Sequence, residues 1–190
     1  HGLRMTLSAV IGLAPEHKLR VISEDVGGGF GSKAFNYSEE VICAWAAKTV
    51  GRPVKWMADR SEAFLTDAHG RDQIANAEMY LDEHKKIIGL KVSITANMGA
   101  YLSTFGSLIP TYMCVPLLSG QYAIPAIYAE VKGVYTNTSP VDAYRGAGRP
   151  EAAFIIERLI DLAARKTDTS PVDLRRKNFV KNFPYQTPVL

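Results

Sequence analysis

Glycine is concentrated at one point of this sequence. Four of the chain's 15 glycines fall within the five positions 27–31, where Phe30 is the only other residue. Such a run costs backbone entropy on folding, so it is typical of places that need positive φ angles or a close backbone approach. The approaching group is usually a ligand that accepts hydrogen bonds from backbone N–H groups. Phe30 would then face that ligand, and the alternative is a flexible loop that binds nothing.

The pattern on either side of the run predicts its structural setting. Residues 19–26 alternate in polarity at their start, which predicts a β-strand that leads into the glycines. Ser38 is a suitable N-cap, and the apolar residues after it predict a helix that ends at Gly51. The expected order is therefore strand, glycine loop, helix.

The rest of the chain mixes helices with hairpins and does not alternate as βαβ units. Residues 75–82 and 88–97 alternate with period two around a turn, which predicts a long hairpin whose buried face includes Ile88. The other predicted elements are a short helix over 2–12, strands over 54–57 and 127–136, and helices over 108–118, 151–166 and 170–179. We expect an α+β fold of mixed or antiparallel hairpins packed with helices, in one domain over residues 1–190.

Composition and charge exclude several classes of protein. The 22 basic and 19 acidic residues give a net charge of +3 and are mostly dispersed, so we expect no nucleic-acid partner. No run of eighteen apolar residues predicts a membrane span, and the two cysteines fit a reducing cytoplasm. The four histidines have no metal-ligand spacing. The chain begins at His1 and ends within a pattern, so we expect a piece of a longer polypeptide.

The glycine run does not match the common nucleotide motifs. A dinucleotide fingerprint needs a third glycine in register, and a P-loop ends in Gly-Lys-Ser/Thr, whereas Ser32-Lys33-Ala34 follows here. The sequence also contains no nucleophile elbow. The loop is therefore expected to offer N–H groups to an anion or an oxo group.

A second loop, residues 142–150, lies between a predicted strand and a predicted helix. Gly146 and Gly148 permit close backbone approach, and Arg145 and Arg149 supply forked donors that suit an oxyanion. The alternative is a solvated basic turn. Two such loops in one domain favour one shared cofactor that is anionic and bulky.

At these two loops the sequence resembles the molybdenum-binding large subunit of the xanthine dehydrogenase, aldehyde oxidase and aerobic carbon-monoxide dehydrogenase family. The matching segments are Glu24–Lys33, Gly51–Trp56 with Asp59–Arg60, Tyr135–Asn137, Ala143–Gly146 and Leu174–Asn178. The resemblance implies the first molybdopterin-binding portion of that subunit. It also implies a molybdopterin cofactor, in bacteria usually in its cytosine dinucleotide form, and partner subunits that carry 2Fe-2S clusters and FAD.

The resemblance implies roles for particular residues. The cofactor-binding residues would be Gly28, Gly29, Phe30, Gly31, Arg145 and Gly146, with Phe30 and Arg145 beside the molybdenum. The catalytic base of the family is a glutamate in a later part of the large subunit, so no acid in this chain is a candidate and the piece would be inactive alone.

Departures from the family pattern bear on the substrate. The implied substrate pocket contains Phe30, Ala34, Met113 and Ala147, and the last three stand where purine-oxidising members have glutamate, arginine and an aromatic residue. Gly146 stands where carbon-monoxide enzymes have a copper-binding cysteine. The expected substrate is thus an aldehyde or an N-heterocycle, hydroxylated with water. The alternatives are a carbon-monoxide dehydrogenase-like chain, a non-catalytic pterin- or nucleotide-binding module and a dinucleotide-binding oxidoreductase.

Overall fold

A three-stranded mixed sheet forms the centre of the protein, in a computed structural model that describes residues 1–189. β1 (Gln73–Leu81) and β2 (Ile87–Gly99) form the predicted antiparallel hairpin. β3 (Ile127–Tyr135) lies on the other side of β2 and runs parallel to it. The α+β prediction is therefore confirmed, with β2 between its two neighbours in the order β1-β2-β3.

Two C-terminal helices pack against this sheet and complete the core. In α4 (Arg149–Lys166) the buried residues recur at helical spacing, as the sequence predicts, and they are Ala152, Ile155, Ile156, Ile160 and Ala164. α5 (Pro171–Asn178) follows Ser170 in the predicted way. Asn178 is buried, and its Oδ1 accepts a hydrogen bond from the Ile87 N–H at 2.9 Å, which ties α5 to the start of β2.

The N-terminal third contains helices that lie outside this core. α1 (Gly2–Met5) continues into a π-helical turn (Thr6–Val10), in agreement with the predicted short helix. α2 (Ser38–Val50) ends at Gly51 with φ +66°, as predicted, but Tyr37 rather than Ser38 is its N-cap. None of the α2 residues is buried.

The predictions of strands over residues 19–26 and 54–57 are wrong, because neither segment belongs to a strand. Val21, Ile22, Val26 and Met57 are exposed. Alternating polarity produces a strand only where a second strand supplies hydrogen-bond partners, and the part of the chain that the structure describes supplies none at these places. The glycine run therefore follows irregular backbone and not a strand.

Three smaller differences have local causes. α3 (Arg60–Thr66) was not predicted, although Asp59 caps it by accepting the Glu62 N–H at 2.7 Å. Residues 108–118 form consecutive turns and one 3-10 turn (Val115–Leu117) instead of a continuous helix, since Pro110 and Pro116 interrupt helical hydrogen bonding. Ile88 is exposed, because a bulge after Tyr80 shifts the hairpin register and places Ile87 in the core.

No helix within residues 1–189 combines the length and the apolar character that a membrane crossing requires.

Candidate functional site

The glycine loop has the left-handed backbone that its composition predicts. Gly28 and Gly31 have φ angles of +108° and +100°, and Phe30 between them has φ +50°, which is uncommon for a bulky residue. The Ala34 N–H donates to the Gly31 carbonyl at 2.9 Å, and Lys33 Nζ donates to the Gly28 carbonyl at 3.0 Å. These bonds close a compact turn with Phe30 on its exposed side.

The N–H groups of this loop are available to a ligand. Within residues 1–189, none of the backbone N–H groups of positions 27–31 donates a hydrogen bond. Backbone donors without protein partners are a common way to bind an anion or an oxo group.

The second loop has a similar conformation and leads into the N-terminus of α4. Gly146, Ala147 and Gly148 all have positive φ angles, of +97°, +36° and +85°. A Cβ atom on Gly148 would lie 2.6 Å from the carbonyl carbon of Met113, so the backbone of this loop packs directly on the turn around Met113. Only glycine satisfies both conditions at position 148.

The two loops meet and form one site. The Arg145 N–H donates to the Phe30 carbonyl at 2.9 Å. A Cβ atom on Gly31 would lie 2.2 Å from the Ala143 carbonyl oxygen, so only a glycine permits this approach. The guanidinium carbon of Arg145 lies 5.7 Å from the centre of the Phe30 ring, within cation–π range.

Arg145 carries a charge without a protein counterion. Among residues 1–189 its guanidinium makes no ion pair and donates no side-chain hydrogen bond, although the side chains of Arg71 and Arg175 do both. An exposed cation beside free N–H groups and an aromatic ring is an arrangement suited to an anionic ligand.

Two residues that the sequence did not single out hold the second loop in place. Asp142 is buried, and its carboxylate accepts the N–H groups of Phe105 at 3.0 Å and Ala143 at 2.6 Å. Arg71 Nη2 donates to the carbonyls of Tyr144, at 3.4 Å, and Arg145. The partners of Arg71 lie more than seventy positions away in sequence, so no local pattern predicts these contacts.

The predicted substrate-pocket residues are only partly brought together. Ala147 and Met113 are half-buried and adjacent, since Gly148 rests on the backbone of Met113. Phe30 lies at the junction of the two loops. Ala34 is exposed, and the structure places it in contact with the glycine loop rather than with the second loop.

The Cys114 thiol, next to Met113 in sequence, is not a reactive group of this site. Burial, with a smaller effect of the Glu151 charge, raises the pKa of the Cys114 thiol to about 11. Cys114 is therefore a core residue and is protonated at neutral pH. Within residues 1–189 no group of three or more histidine, cysteine, aspartate or glutamate side chains is arranged to hold a metal ion.

Comparison with known proteins gives the family. The model of the molybdopterin cofactor-binding domain matches residues 1–179. This chain belongs to that family. The resemblance to this family in the sequence is thus confirmed. The glycine loop and the second loop both lie within the matched molybdopterin-binding domain.

The molybdopterin-binding domain is similar over nearly its whole length to large subunits of molybdenum enzymes. It is 39% identical to the carbon monoxide dehydrogenase large chain of Hydrogenophaga pseudoflava, covering 98% of this chain and 24% of the relative. It is 34% identical to the nicotine 6-hydroxylase large subunit of Paenarthrobacter nicotinovorans, covering 99% and 23%. The chain therefore spans about a quarter of the length of these relatives.

Solved structures show the same fold. Quinoline 2-oxidoreductase from Pseudomonas putida 86 superimposes with a TM-score of 0.93 at 33% identity, covering 98% of this chain and 24% of that one. Carbon monoxide dehydrogenase from Oligotropha carboxidovorans gives a TM-score of 0.89 at 35% identity with the same coverage.

Proposed function

We propose that this molybdopterin-binding domain is the first cofactor-binding portion of the large subunit of a molybdenum hydroxylase. The observation that carries the proposal is the Arg145 guanidinium, which makes no ion pair within residues 1–189 and lies over Phe30. Beside it are the backbone N–H groups of positions 28–31, none of which donates a hydrogen bond within the same residues. A molybdenum centre with oxo ligands on an anionic pterin would supply the acceptors that these donors lack. The residues present therefore fit the cofactor that the family binds.

Each residue of the site would have a separate role. The N–H groups of Gly28, Gly29, Phe30 and Gly31 would donate to the oxo face of the cofactor, and Gly146 would let the backbone approach it. Arg145 would stabilise negative charge, and the Phe30 ring would exclude water and so strengthen that interaction. When bound, the cofactor would supply the redox chemistry, while the protein supplies binding and orientation.

We propose an aldehyde or an N-heterocycle as the substrate, hydroxylated with water. Gly146 offers no thiol for copper, and Cys114 is buried and protonated. Met113 and Ala147, which lie together at the second loop, would present no purine-binding groups, and Ala34 beside the glycine loop has none either. Two similar proteins are named for nicotine and quinoline, which are N-heterocycles. The similarity to carbon monoxide dehydrogenase large chains makes carbon monoxide the second candidate.

The remaining parts of the reaction lie outside this chain. A glutamate from a later part of the large subunit would act as the base. Electrons would pass to 2Fe-2S clusters on a small subunit and to FAD on a medium subunit, and the pterin would be in its cytosine dinucleotide form. The complete complex would be cytoplasmic.

The deciding experiment uses the complete complex, with molybdenum and pterin measured per large subunit. We expect about one of each, and dye reduction with a member of a panel of aldehydes, N-heterocycles and carbon monoxide. A folded complex without molybdenum or pterin contradicts the proposal. Cofactor without turnover on any substrate of the panel favours a binding module, and turnover restricted to carbon monoxide favours the second candidate.

Arg145→Met tests the role of the unpaired guanidinium in the same complex. We expect kcat to fall about a hundredfold, the size of effect seen when one charge-stabilising donor is removed from an active site. Arg165→Met, on the exposed end of α4, is the matched control and should leave kcat unchanged. Equal kcat values for the two variants would show that Arg145 has no role at the proposed site.

A further inference from the structure

Arg71 adopts a strained conformation at the junction between the α3 region and β1. Its φ angle is +58°, although it is not glycine. A non-glycine residue in this region costs free energy and persists where its surroundings fix it, often beside a functional site. Gly70 before it would carry a Cβ atom 2.4 Å from the Cβ of Tyr144, so this segment lies directly against the second loop.

The side chain of Arg71 makes three kinds of contact, all with the second loop or the start of α4. Nη2 donates to the carbonyls of Tyr144 and Arg145. The guanidinium carbon lies 4.6 Å from the centre of the Tyr144 ring. Nε lies 3.4 Å from Oε1 of Glu151, whose side chain is only 7% exposed. The fork of an arginine can make these contacts at once, whereas a lysine amine cannot.

These contacts act on the backbone of the residue proposed to meet the cofactor. The N–H of Arg145 is held by the Phe30 carbonyl and its C=O by Arg71, so both polar groups of its backbone are fixed. The direction of the Arg145 side chain depends on that backbone. The Glu151 carboxylate in turn holds Arg71, and its second oxygen, Oε2, is buried without a hydrogen-bond partner among the described residues.

We propose that Arg71 is a positioning residue for the cofactor site, which fixes Arg145 against Phe30 and the glycine loop. The inference rests on the proposed function. Arg71 touches neither cofactor nor substrate in this account, and it acts only through the Arg145 backbone. Glu151 orients Arg71 and pairs with its charge, whereas Arg145 keeps its charge for the ligand.

Arg175 provides a matched control for a purely structural arginine. It pairs with Glu157 at 2.7 Å and with Asp161 at 2.9 Å, and it joins α4 to α5 away from the second loop. Both arginines therefore make ion pairs within the fold. Of these two arginines, Arg71 donates to carbonyls of the second loop and Arg175 does not.

The test compares Arg71→Met, Arg71→Lys and Arg175→Met in the complete complex. We expect both Met variants to lower the melting temperature. Only Arg71→Met should speed hydrogen exchange in peptides that cover residues 143–149. It should also lower kcat by about tenfold to a hundredfold with a much smaller change in KM, because a small misplacement of a catalytic group has effects of that size. Arg71→Lys should recover part of kcat, since it keeps the charge that Glu151 needs.

Several outcomes would overturn the inference. The inference is wrong if Arg71→Met and Arg175→Met have the same rate of hydrogen exchange at 143–149 and the same kcat. If the complex with Arg71→Met does not assemble, the Arg71→Lys complex is measured instead. Hydrogen exchange at 143–149 and a kcat that both equal those of the wild type would then overturn the proposal. A wild-type complex without molybdenum or pterin contradicts the proposed function instead, and the exchange data at 143–149 then still report whether Arg71 fixes the loop.

Discussion

At the scale of single residues, the site depends on positions where a side chain cannot be tolerated. Gly31 and Gly148 allow backbones to touch, and the sequence indicated both because glycine clusters are easy to recognise. Arg71 and Asp142 could not be predicted in the same way. Their partners are backbone groups brought together by folding, and a side chain that binds a distant carbonyl leaves no periodic pattern.

Gly31→Ala should disrupt the contact between the two loops. The added Cβ would meet the Ala143 carbonyl at 2.2 Å, and a φ of +100° is unfavourable for alanine. We expect a destabilisation of at least about 2 kcal/mol and loss of molybdenum from the purified complex. Gly27→Ala is the control, because a Cβ there meets nothing within 4 Å, and it should retain the cofactor. Equal molybdenum contents in the two variants would contradict the close approach.

The Cys114 thiol should resist alkylation in the native protein. Its pKa is raised to about 11 by burial and, to a smaller extent, by the charge of Glu151, from an ordinary value of 9.0. At pH 8 about one thiol in a thousand is therefore ionised, and reaction should become appreciable only as the pH approaches 11. Mass spectrometry after iodoacetamide treatment measures this, with the denatured chain as the control that reacts at pH 8. Rapid labelling of native Cys114 at pH 8 would show that the core is open there.

At the scale of elements, sequence periodicity correctly predicted the segments whose packing partners lie within this chain. The hairpin of β1 and β2 and the helix α4 have partners within the chain, and both were predicted correctly. Residues 19–26 and 54–57 have similar strand-like patterns but no strand partner among the described residues. An alternating pattern alone was therefore not enough to predict a strand there. The parallel pairing of β3 with β2 was also not specified, since alternation does not encode strand direction.

Asp142 should be essential for the shape of the second loop. Its buried carboxylate accepts two N–H groups, so Asp142→Ala leaves two donors without partners. We expect a loss of about 2–4 kcal/mol, visible as a lower melting temperature and a lower molybdenum content of the complete subunit. Asp142→Asn keeps one acceptor oxygen and should lose less. An alanine variant as stable as the asparagine variant would mean that water replaces the carboxylate.

At the scale of the whole molecule, the surface is larger and more apolar than a self-contained chain requires. The accessible area is 12572 Å², against about 9,000 Å² for a folded monomer of this mass. Exposed apolar side chains are frequent in the first 66 residues, among them Ile22, Trp45, Met57, Phe64 and Leu65. Since the relatives are about four times as long, we expect the rest of the large subunit to cover this surface.

The excised chain 1–190 should therefore associate or bind hydrophobic dyes, whereas the complete subunit should not. Light scattering and dye fluorescence at matched molar concentration compare the two. Hydrogen exchange adds a local test, because residues 19–26 and 54–57 should be protected in the complete subunit if its other parts supply strands that pair with them. A monodisperse excised chain that binds no dye would contradict this expectation.

The hydrogen bond between the Arg145 N–H and the Phe30 carbonyl has a consequence for engineering. The glycine loop and the second loop pack against each other. Neither can therefore be exchanged for the loop of a different family member without disturbing both. A graft of residues 142–150 alone would bring a backbone shaped for a foreign glycine turn. Grafts meant to change the substrate range should transfer residues 27–34 and 142–150 as one block, together with Arg71 and Glu151.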